Sequence, residues 1–148
     1  MPVFNWNASH ALDPSKHIER HGIRVRVEVS YHPIVQKNIV ESGLRMPSPF
    51  VGWGIIDTGA TVTMIGTNVV SHLNLVAIGQ TRVDAVGGLR DAYLYGFKIQ
   101  LVAGLEMNCL PGIGCDLPLG IDALIGMDLL SKCLLIVNGP GGVVTISN

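Results

Sequence analysis

Short β-prone runs, separated by turns that contain glycine or proline, recur along most of the chain. The run IRVRVEVS, residues 23–30, alternates apolar and polar residues, as a half-buried strand does. Two further runs flank Gly87 and Gly88, which predicts a hairpin, and residues 133–147 predict a closing hairpin. Because many short strands with little helix are typical of barrels and sandwiches, we predict an all-β fold.

The residues before the first alternating strand have a different character. Asp13 stands where it could cap a short helix, with Pro14 at the first helical position and Gly22 at the end. We therefore interpret residues 1–22 as an N-terminal extension and residues 23–148 as one domain.

Further elements are predicted in the second half of the chain. A short helix is expected after Thr67, which would cap it, and a helical turn or two over residues 127–132. A strand pair is expected about residues 103–104. The segment PGIGCDLPLG, residues 111–120, is expected to form a loop because glycine and proline interrupt it.

Composition excludes several classes of function. Of 148 residues, 48% are hydrophobic and 14% are charged, which is typical of a globular domain. Ten basic residues against 11 acidic ones give a net charge of −1, so nucleic-acid binding is not expected. No apolar run reaches the roughly 18 to 20 residues that span a bilayer, and no secretion signal is recognisable, so no membrane partner is expected.

The cysteine and histidine spacings give no metal site. Of the three cysteines, Cys109, Cys115 and Cys133, at least one must stay unpaired, which favours a reducing compartment and a cytoplasmic location. Cys109 and Cys115 have no second ligand pair of matching spacing. His17 and His21 lie four residues apart, but the intervening glutamate, Glu19, is not next to the first histidine as it is in the zinc-protease motif. We expect neither a metal nor a cofactor.

The stretch IIDTGATVTMI, residues 55–65, holds a single carboxylate among apolar, small and hydroxylic residues. Burying a lone carboxylate is costly, so Asp57 calls for a functional explanation. Gly59 permits a sharp turn, and Thr58 supplies a hydroxyl for a neighbouring loop. Alone, the triplet is also compatible with an ordinary turn capped by aspartate.

Three sequence features that follow one another in order make a stronger signal than the DTG triplet alone. DTGA follows an apolar strand, the Gly-Gly hairpin comes next, and DALIGMDLL, residues 122–130, follows about seventy residues after DTGA. In this order and spacing the chain resembles the retropepsin-like aspartic proteases over roughly residues 23–147. The resemblance implies a closed β-barrel with a short helix after the second motif.

The resemblance also implies the chemistry. Aspartic proteases use two carboxylates that share a proton, and this chain has one DTG. Asp122 and Asp128 lack the Thr-Gly context, so the implied enzyme is a homodimer to which each chain contributes one Asp57. Asp57 would be the catalytic carboxylate, Thr58 would hold the two loops together, and Gly59 would offer its backbone to the substrate.

The implied substrate is an extended peptide or protein segment that lies between a flap and the floor of a cleft. The resemblance assigns six residues to substrate binding. Val86, Gly87 and Gly88 would form the flap tip, Leu124 and Ile125 would line or support the apolar cleft, and Ala60 lies beside the catalytic triplet.

Two departures from the viral enzymes stand out. The acidic residue and the arginine that pair at their dimer interface are replaced by Thr61 or Val62 and by Met127. The Gly-Met-Asp that results is common in the cellular and retrotransposon-type branch, which favours a non-viral relative. A closing hairpin also replaces the single terminal strand. A second hypothesis therefore stays open: a dimer of this fold that binds peptides, or serves in assembly, without cutting.

Overall fold

The computed structural model describes residues 3–7, 11–85, 87–101 and 104–147. The described residues are mostly β, with four short helices, which confirms the predicted β character. In chain order the elements are β1 (Val3–Asn7), α1 (Pro14–His21), β2 (Ile23–Tyr31), α2 (Pro33–Glu41), β3 (Phe50–Ile56), β4 (Met64–Gly66), α3 (Thr67–Leu73), β5 (Gly79–Ala85), β6 (Gly88–Leu101), β7 (Glu106–Cys115), β8 (Ala123–Ile125), α4 (Met127–Leu130), β9 (Leu134–Asn138) and β10 (Val143–Ser147).

The larger of two sheets closes on itself. Its strand order is β2-β3-β8-β4-β7-β6-β5, and β2 also pairs with β6, so that six strands form a ring of pairings. β5 lies outside this ring, and within the described ranges it pairs with β6 alone. The β5–β6 hairpin follows from the predicted Gly-Gly turn, and the predicted pair about residues 103–104 is the β6–β7 pair.

The main hydrophobic core is built largely by the strands of this ring and also includes Val144 and Ile146 of β10. Val25, Val27 and Val29 of β2 are buried while Arg26 and Glu28 between them are exposed, as the alternating sequence predicts. Further buried side chains come from β4, α3, β6, β8 and α4, among them Phe97, Ile99, Ile65, Leu73, Ile125 and Leu129.

The second sheet joins the two ends of the chain. β10 lies between β9 and β1, and Val3 is opposite Ser147 in the antiparallel register. The predicted closing hairpin is therefore confirmed as β9–β10, and the segment of residues 1–22 contributes a strand beside it. The predicted helix α1 is also confirmed: the Asp13 carboxylate accepts a hydrogen bond from the Lys16 N–H at 3.1 Å.

The predicted loop over residues 111–120 is wrong in its first half, because residues 111–115 continue β7. The glycines there serve close packing of aromatic rings. A Cβ on Gly112 would lie 2.3 Å from the Phe97 ring, and one on Gly114 would lie 2.6 Å from the Tyr95 ring. Strand glycine can mark a close approach as well as a turn, and only the tertiary structure distinguishes the two.

Two helix starts also differ from expectation. α3 begins at Thr67 itself, with Gly66 as the residue before it, and the Thr67 hydroxyl donates to the Asp116 carboxylate. The prediction that Thr67 caps the helix is therefore wrong. α2 was not predicted; His32 caps it by accepting from the Ile34 N–H. None of the described helices is long and apolar enough to cross a membrane.

Candidate active site

The loop that carries Asp57 begins where β3 ends, and the second motif lies directly beside it. β8 is inserted between β3 and β4, parallel to β3 and antiparallel to β4, with Leu124 opposite both Ile55 and Met64. The Asp57 N–H donates to the Ile125 carbonyl at 3.0 Å. Two segments that are about seventy residues apart in sequence are thus joined by backbone hydrogen bonds at the residue of interest.

Within the loop, the Asp57 carboxylate is held by a tight turn. Its Oδ1 accepts from the Gly59 N–H at 2.9 Å, and its backbone carbonyl accepts from the Ala60 N–H at 3.2 Å. The side chain is half-buried. Within the described part of the chain, its second carboxylate oxygen accepts no hydrogen bond, so one oxygen is anchored and the other is open to a ligand.

Thr58 lies at the outer side of this loop. Its side chain is exposed, and its hydroxyl has no hydrogen-bond partner among the described residues. A hydroxyl in this position is open to a group outside the chain.

The helical turn after β8 packs against the far end of the Asp57 loop. The Met127 N–H donates to the Ala60 carbonyl at 2.8 Å, and the Asp128 N–H donates to the Thr61 carbonyl at 3.1 Å. Gly126 allows this approach, because a Cβ there would lie 2.6 Å from the backbone carbon of Val62. The glycine of the second motif is therefore a requirement of backbone packing.

Asp128 holds the same junction through its side chain. Its carboxylate accepts from the Thr63 N–H at 3.0 Å, from the Thr63 hydroxyl at 2.6 Å and from the Leu129 N–H at 2.9 Å. The Thr63 hydroxyl, which is buried, in turn accepts from the Gly126 N–H at 3.0 Å. The carboxylate thus accepts from three donors, two of them on Thr63 in a distant segment, which fits a structural role.

Asp122, before β8, is engaged in a similar way. Its carboxylate accepts from the Trp53 N–H at 2.8 Å and from the Asn68 side-chain amide at 2.7 Å. Its backbone N–H donates to the Trp53 carbonyl, and its backbone carbonyl accepts from the Gly66 N–H. Both carboxylates that flank the second motif are consequently anchors of β8, a role that sequence reasoning did not assign to them.

A cleft of about 710 Å³ opens beside Asp57. Ala60, Gly59 and Leu124 of the predicted site line it, whereas Ile125 is fully buried behind it. The opposite wall comes from the β5–β6 hairpin and from the residues that follow β7. The remaining lining residues are Met64, Val83, Asp84, Ala85, Arg90, Cys115, Asp116, Leu117 and Pro118.

Two of the predicted flap residues, Gly87 and Gly88, lie at the tip of the same hairpin. Gly87 and Gly88 have φ angles of 102° and 109°, which favour glycine, and both are exposed. Neither is among the residues that line the cleft. Val86 lies outside the described residues. The hairpin wall of the cleft is therefore made by its stem.

The cleft contains groups that the sequence did not single out. Cys115 is buried, and its Sγ lies 3.8 Å from the Met64 Sδ. Burial raises the pKa of the Cys115 thiol, Asp116 raises it further, and the positive charge of Arg90 opposes the rise. Asp84, Arg90 and Asp116 thus place three charges around an otherwise apolar cleft.

The other sequence features form no second site. The three cysteines are free. His17 and His21 stack on α1 with ring centroids 4.7 Å apart. Across the described ranges, no group of three or more histidine, cysteine, aspartate or glutamate side chains comes together as a metal site would require.

Comparison with known proteins finds no protein-family profile that matches this sequence, and no curated protein that is significantly similar to it. The assignment of function therefore depends on the motifs and the geometry of the cleft.

Proposed function

We propose that this protein is a retropepsin-like aspartic endopeptidase, active as a homodimer. The observation that carries the proposal is the half-buried Asp57 carboxylate, which is fixed on a glycine-containing loop at the side of a 710 Å³ cleft. The order of the motifs in the sequence gives the carboxylate a chemical context, and the hydrogen bonds to Ile125 and Gly59 give it a fixed position. Preorganisation of this kind is what acid–base catalysis needs.

In the proposed reaction, Asp57 from each of two copies faces one water molecule. One carboxylate takes a proton from the water, whose oxygen attacks the peptide carbonyl carbon, while the protonated carboxyl donates to the carbonyl oxygen. The tetrahedral intermediate then collapses: the carboxyl that took the proton from water donates it to the nitrogen as the C–N bond breaks, and the other carboxylate takes a proton from a hydroxyl of the intermediate. The singly protonated pair is the working form, and it is restored when both products leave.

Several observations favour a shared site over a second aspartate within the chain. Asp122 and Asp128 are bound by backbone and side-chain donors of their own. Thr58 is exposed with a hydroxyl that has no partner within the described chain, as expected of a group that binds the loop of a second copy.

A surface for self-association is available on the terminal sheet. β9 has the sequence LLIVN, and among the strands that the structure describes it pairs with β10 on one side only. Its Leu134, Ile136 and Val137 side chains are exposed, and no charged residue or proline protects the strand. Such an edge is a template for pairing with another chain, so it supports a homodimer.

The proposed substrate is a peptide segment bound in extended form. Leu124, Met64, Val83 and Leu117 supply apolar contacts along the cleft. Main-chain hydrogen bonds would hold the peptide, and these apolar side chains would favour apolar residues next to the scissile bond. Free cysteines fit a reducing compartment, so we place this activity in the cytoplasm.

The decisive experiment compares the parent protein with Asp57→Asn on denatured protein and on a mixed peptide library, from acidic to neutral pH. We expect cleavage that a pepstatin-type inhibitor blocks, and a loss of at least about 100-fold in the variant, because an amide cannot share the proton. Asparagine can still accept from Gly59, so the thermal unfolding temperature should stay close to that of the parent.

Oligomeric state is measured in the same samples by analytical ultracentrifugation. Activity should fall more steeply than protein concentration once the dimer dissociates. A dimer that binds peptides and cuts none of them at any pH would favour the non-catalytic peptide-binding module. Near-parental turnover by Asp57→Asn would show that another group carries the chemistry.

A further inference from the structure

The β5–β6 hairpin places one arginine on each of its faces. In the antiparallel register Arg90 is opposite Val83, two residues from Ala92, and all three lie on the same face. Val83 and Ala92 are buried against Cys115, so this face is turned toward the body of the domain. Arg82 is opposite Asp91 on the other face, where its Nε lies 3.3 Å from the Asp91 carboxylate.

Arg90 has no comparable partner. It lines the cleft, and it takes part in no ion pair among the described residues. Asp84 and Asp116 also line the cleft, but among the described residues neither forms an ion pair with Arg90, and the Asp116 carboxylate instead accepts from the Thr67 hydroxyl at 2.7 Å. The guanidinium is thus a cleft cation without a carboxylate in contact.

A bound peptide would change the surroundings of this cation. Arg90 is exposed in the cleft, and a peptide that displaced water from its guanidinium would incur a cost unless an acceptor replaced that water. A carboxylate is the strongest available acceptor, because it can take two parallel N–H donors from one guanidinium. An extended peptide rises about 3.3 Å per residue, so a cleft of this volume accepts only a few residues near Asp57.

We propose that Arg90 is a specificity-determining residue that selects peptides with a glutamate or aspartate within about three residues of the scissile bond, by donating hydrogen bonds from its guanidinium to that carboxylate. This inference deepens the proposed function, on which it rests. The proposed substrate would then carry one acidic residue in addition to the apolar residues that the cleft favours.

The test begins with the cleavage sites that the parent protein makes in a peptide library, which identify the preferred acidic position. Two peptides that differ only by glutamate or glutamine there are then compared by kcat/KM. We expect the parent to prefer the glutamate peptide about tenfold. In Arg90→Gln the preference should vanish or reverse, because Asp57, Asp84 and Asp116 still border the cleft.

Arg82→Gln is the matched control, because it makes the same change on the outer face of the same hairpin. It should keep the parental preference. The preference should also strengthen as pH rises through about 4.3, where a peptide glutamate ionises, whereas the glutamine peptide should lack this extra dependence. A purely structural effect of Arg90 would lower kcat/KM for both peptides equally and would overturn the proposal.

Equal kcat/KM for the two peptides in the parent would overturn the role of Arg90 while leaving the protease assignment intact, as would a preference that survives in Arg90→Gln. If the dimer cuts no peptide, the protease assignment fails, and fluorescence anisotropy with labelled glutamate and glutamine peptides tests Arg90 by itself. Preferential binding of the glutamate peptides that Arg90→Gln abolishes would support the site. Equal binding would overturn it.

Discussion

The Asp57 loop and the β5–β6 hairpin border the same cleft but are held in different ways. The loop receives backbone hydrogen bonds from Ile125 and from the turn after β8, both far away in sequence. The stem of the hairpin packs Val83 and Ala92 against Cys115. Beyond these residues the described hairpin is held by pairing between β5 and β6, and its tip residues Gly87 and Gly88 are exposed.

This difference shows how a fixed carboxylate and an adaptable wall can border one cleft. Long-range hydrogen bonds hold the backbone of Asp57 in one position, because opening the loop would also detach β8 from β3. Opening the hairpin tip breaks local pairs only, so it costs less free energy. We expect substitutions in the two regions to differ accordingly, first in stability and then in catalysis.

The largest expected effect comes from two matched glycine substitutions. Gly126→Ala would force a methyl group to 2.6 Å from the Val62 backbone, although its φ of −94° suits any residue. We expect a loss of about 3 kcal/mol in the free energy of unfolding. In Gly88→Ala nothing lies within 4 Å, and only the positive φ is unfavourable, so about 1 kcal/mol is expected. Urea unfolding measures both, and equal losses would contradict the distinction between the regions.

A smaller loss of folding stability is expected when the buried Thr63 hydroxyl, which anchors the Asp57 loop, is removed. Thr63→Val keeps the shape of a buried side chain but deprives the Gly126 N–H and Asp128 of their shared hydroxyl. About 2 kcal/mol of stability should be lost. Thr67→Val removes an exposed hydroxyl that also binds an aspartate, and it should cost less than about 1 kcal/mol. If the two variants unfold at the same urea concentration, the buried network does not fix the loop.

Cys109 lies on β7, the strand that connects the two regions because it pairs with both β4 and β6. Substituting it tests how this strand contributes to stability at alkaline pH. Burial, and then the charge of Asp128, raise the pKa of its thiol to about 12, whereas Lys132 lowers it. Below the unfolded value of about 8.5 both states keep the proton; above it the unfolded chain releases the proton first. Stability should therefore be lost as pH rises from about 8.5 toward 12.

The measurement is the free energy of unfolding at pH 8 and at pH 9.5, for the parent and for Cys109→Ala. The parent should lose about 1 kcal/mol more than the variant over this interval. Cys133→Ala, which removes a less buried thiol, should retain most of the parental slope. Parallel slopes for the parent and Cys109→Ala would show that this thiol does not limit alkaline stability.

The smallest effect is expected at Ala60, which follows the catalytic triplet and lines the cleft. A serine there would carry a hydroxyl able to donate to the carboxylate pair and favour its charged form. The acidic limb of the bell-shaped kcat/KM profile should then move to lower pH by about half a unit, with cleavage sites unchanged. Ala60→Gly, which adds no hydroxyl, serves as the control. An acidic limb that stays in place or moves upward in Ala60→Ser would contradict this role.

Local sequence determined the elements whose signals are short-range. Asp13, Pro14 and Gly22 delimit α1 because a cap, a fixed φ and a left-handed end act within one helix. Alternation in β2 determined which side chains are buried, because the strand has a period of two residues. The triplet at residues 57–59 indicated a chemistry, since few residue types can share a proton.

Tertiary structure decided what those residues contact. Gly112 and Gly114 look like turn residues in the sequence, but they lie in a strand. The rings of Phe97 and Tyr95 approach them too closely for any larger side chain. Asp122 and Asp128 have the same side chain as Asp57, but donors from distant segments make them anchors and leave Asp57 facing the cleft. Arg90 and Arg82 differ only in strand parity and partner. Sequence determines which groups are present, and long-range pairing determines which of them stay unsatisfied and open to a ligand.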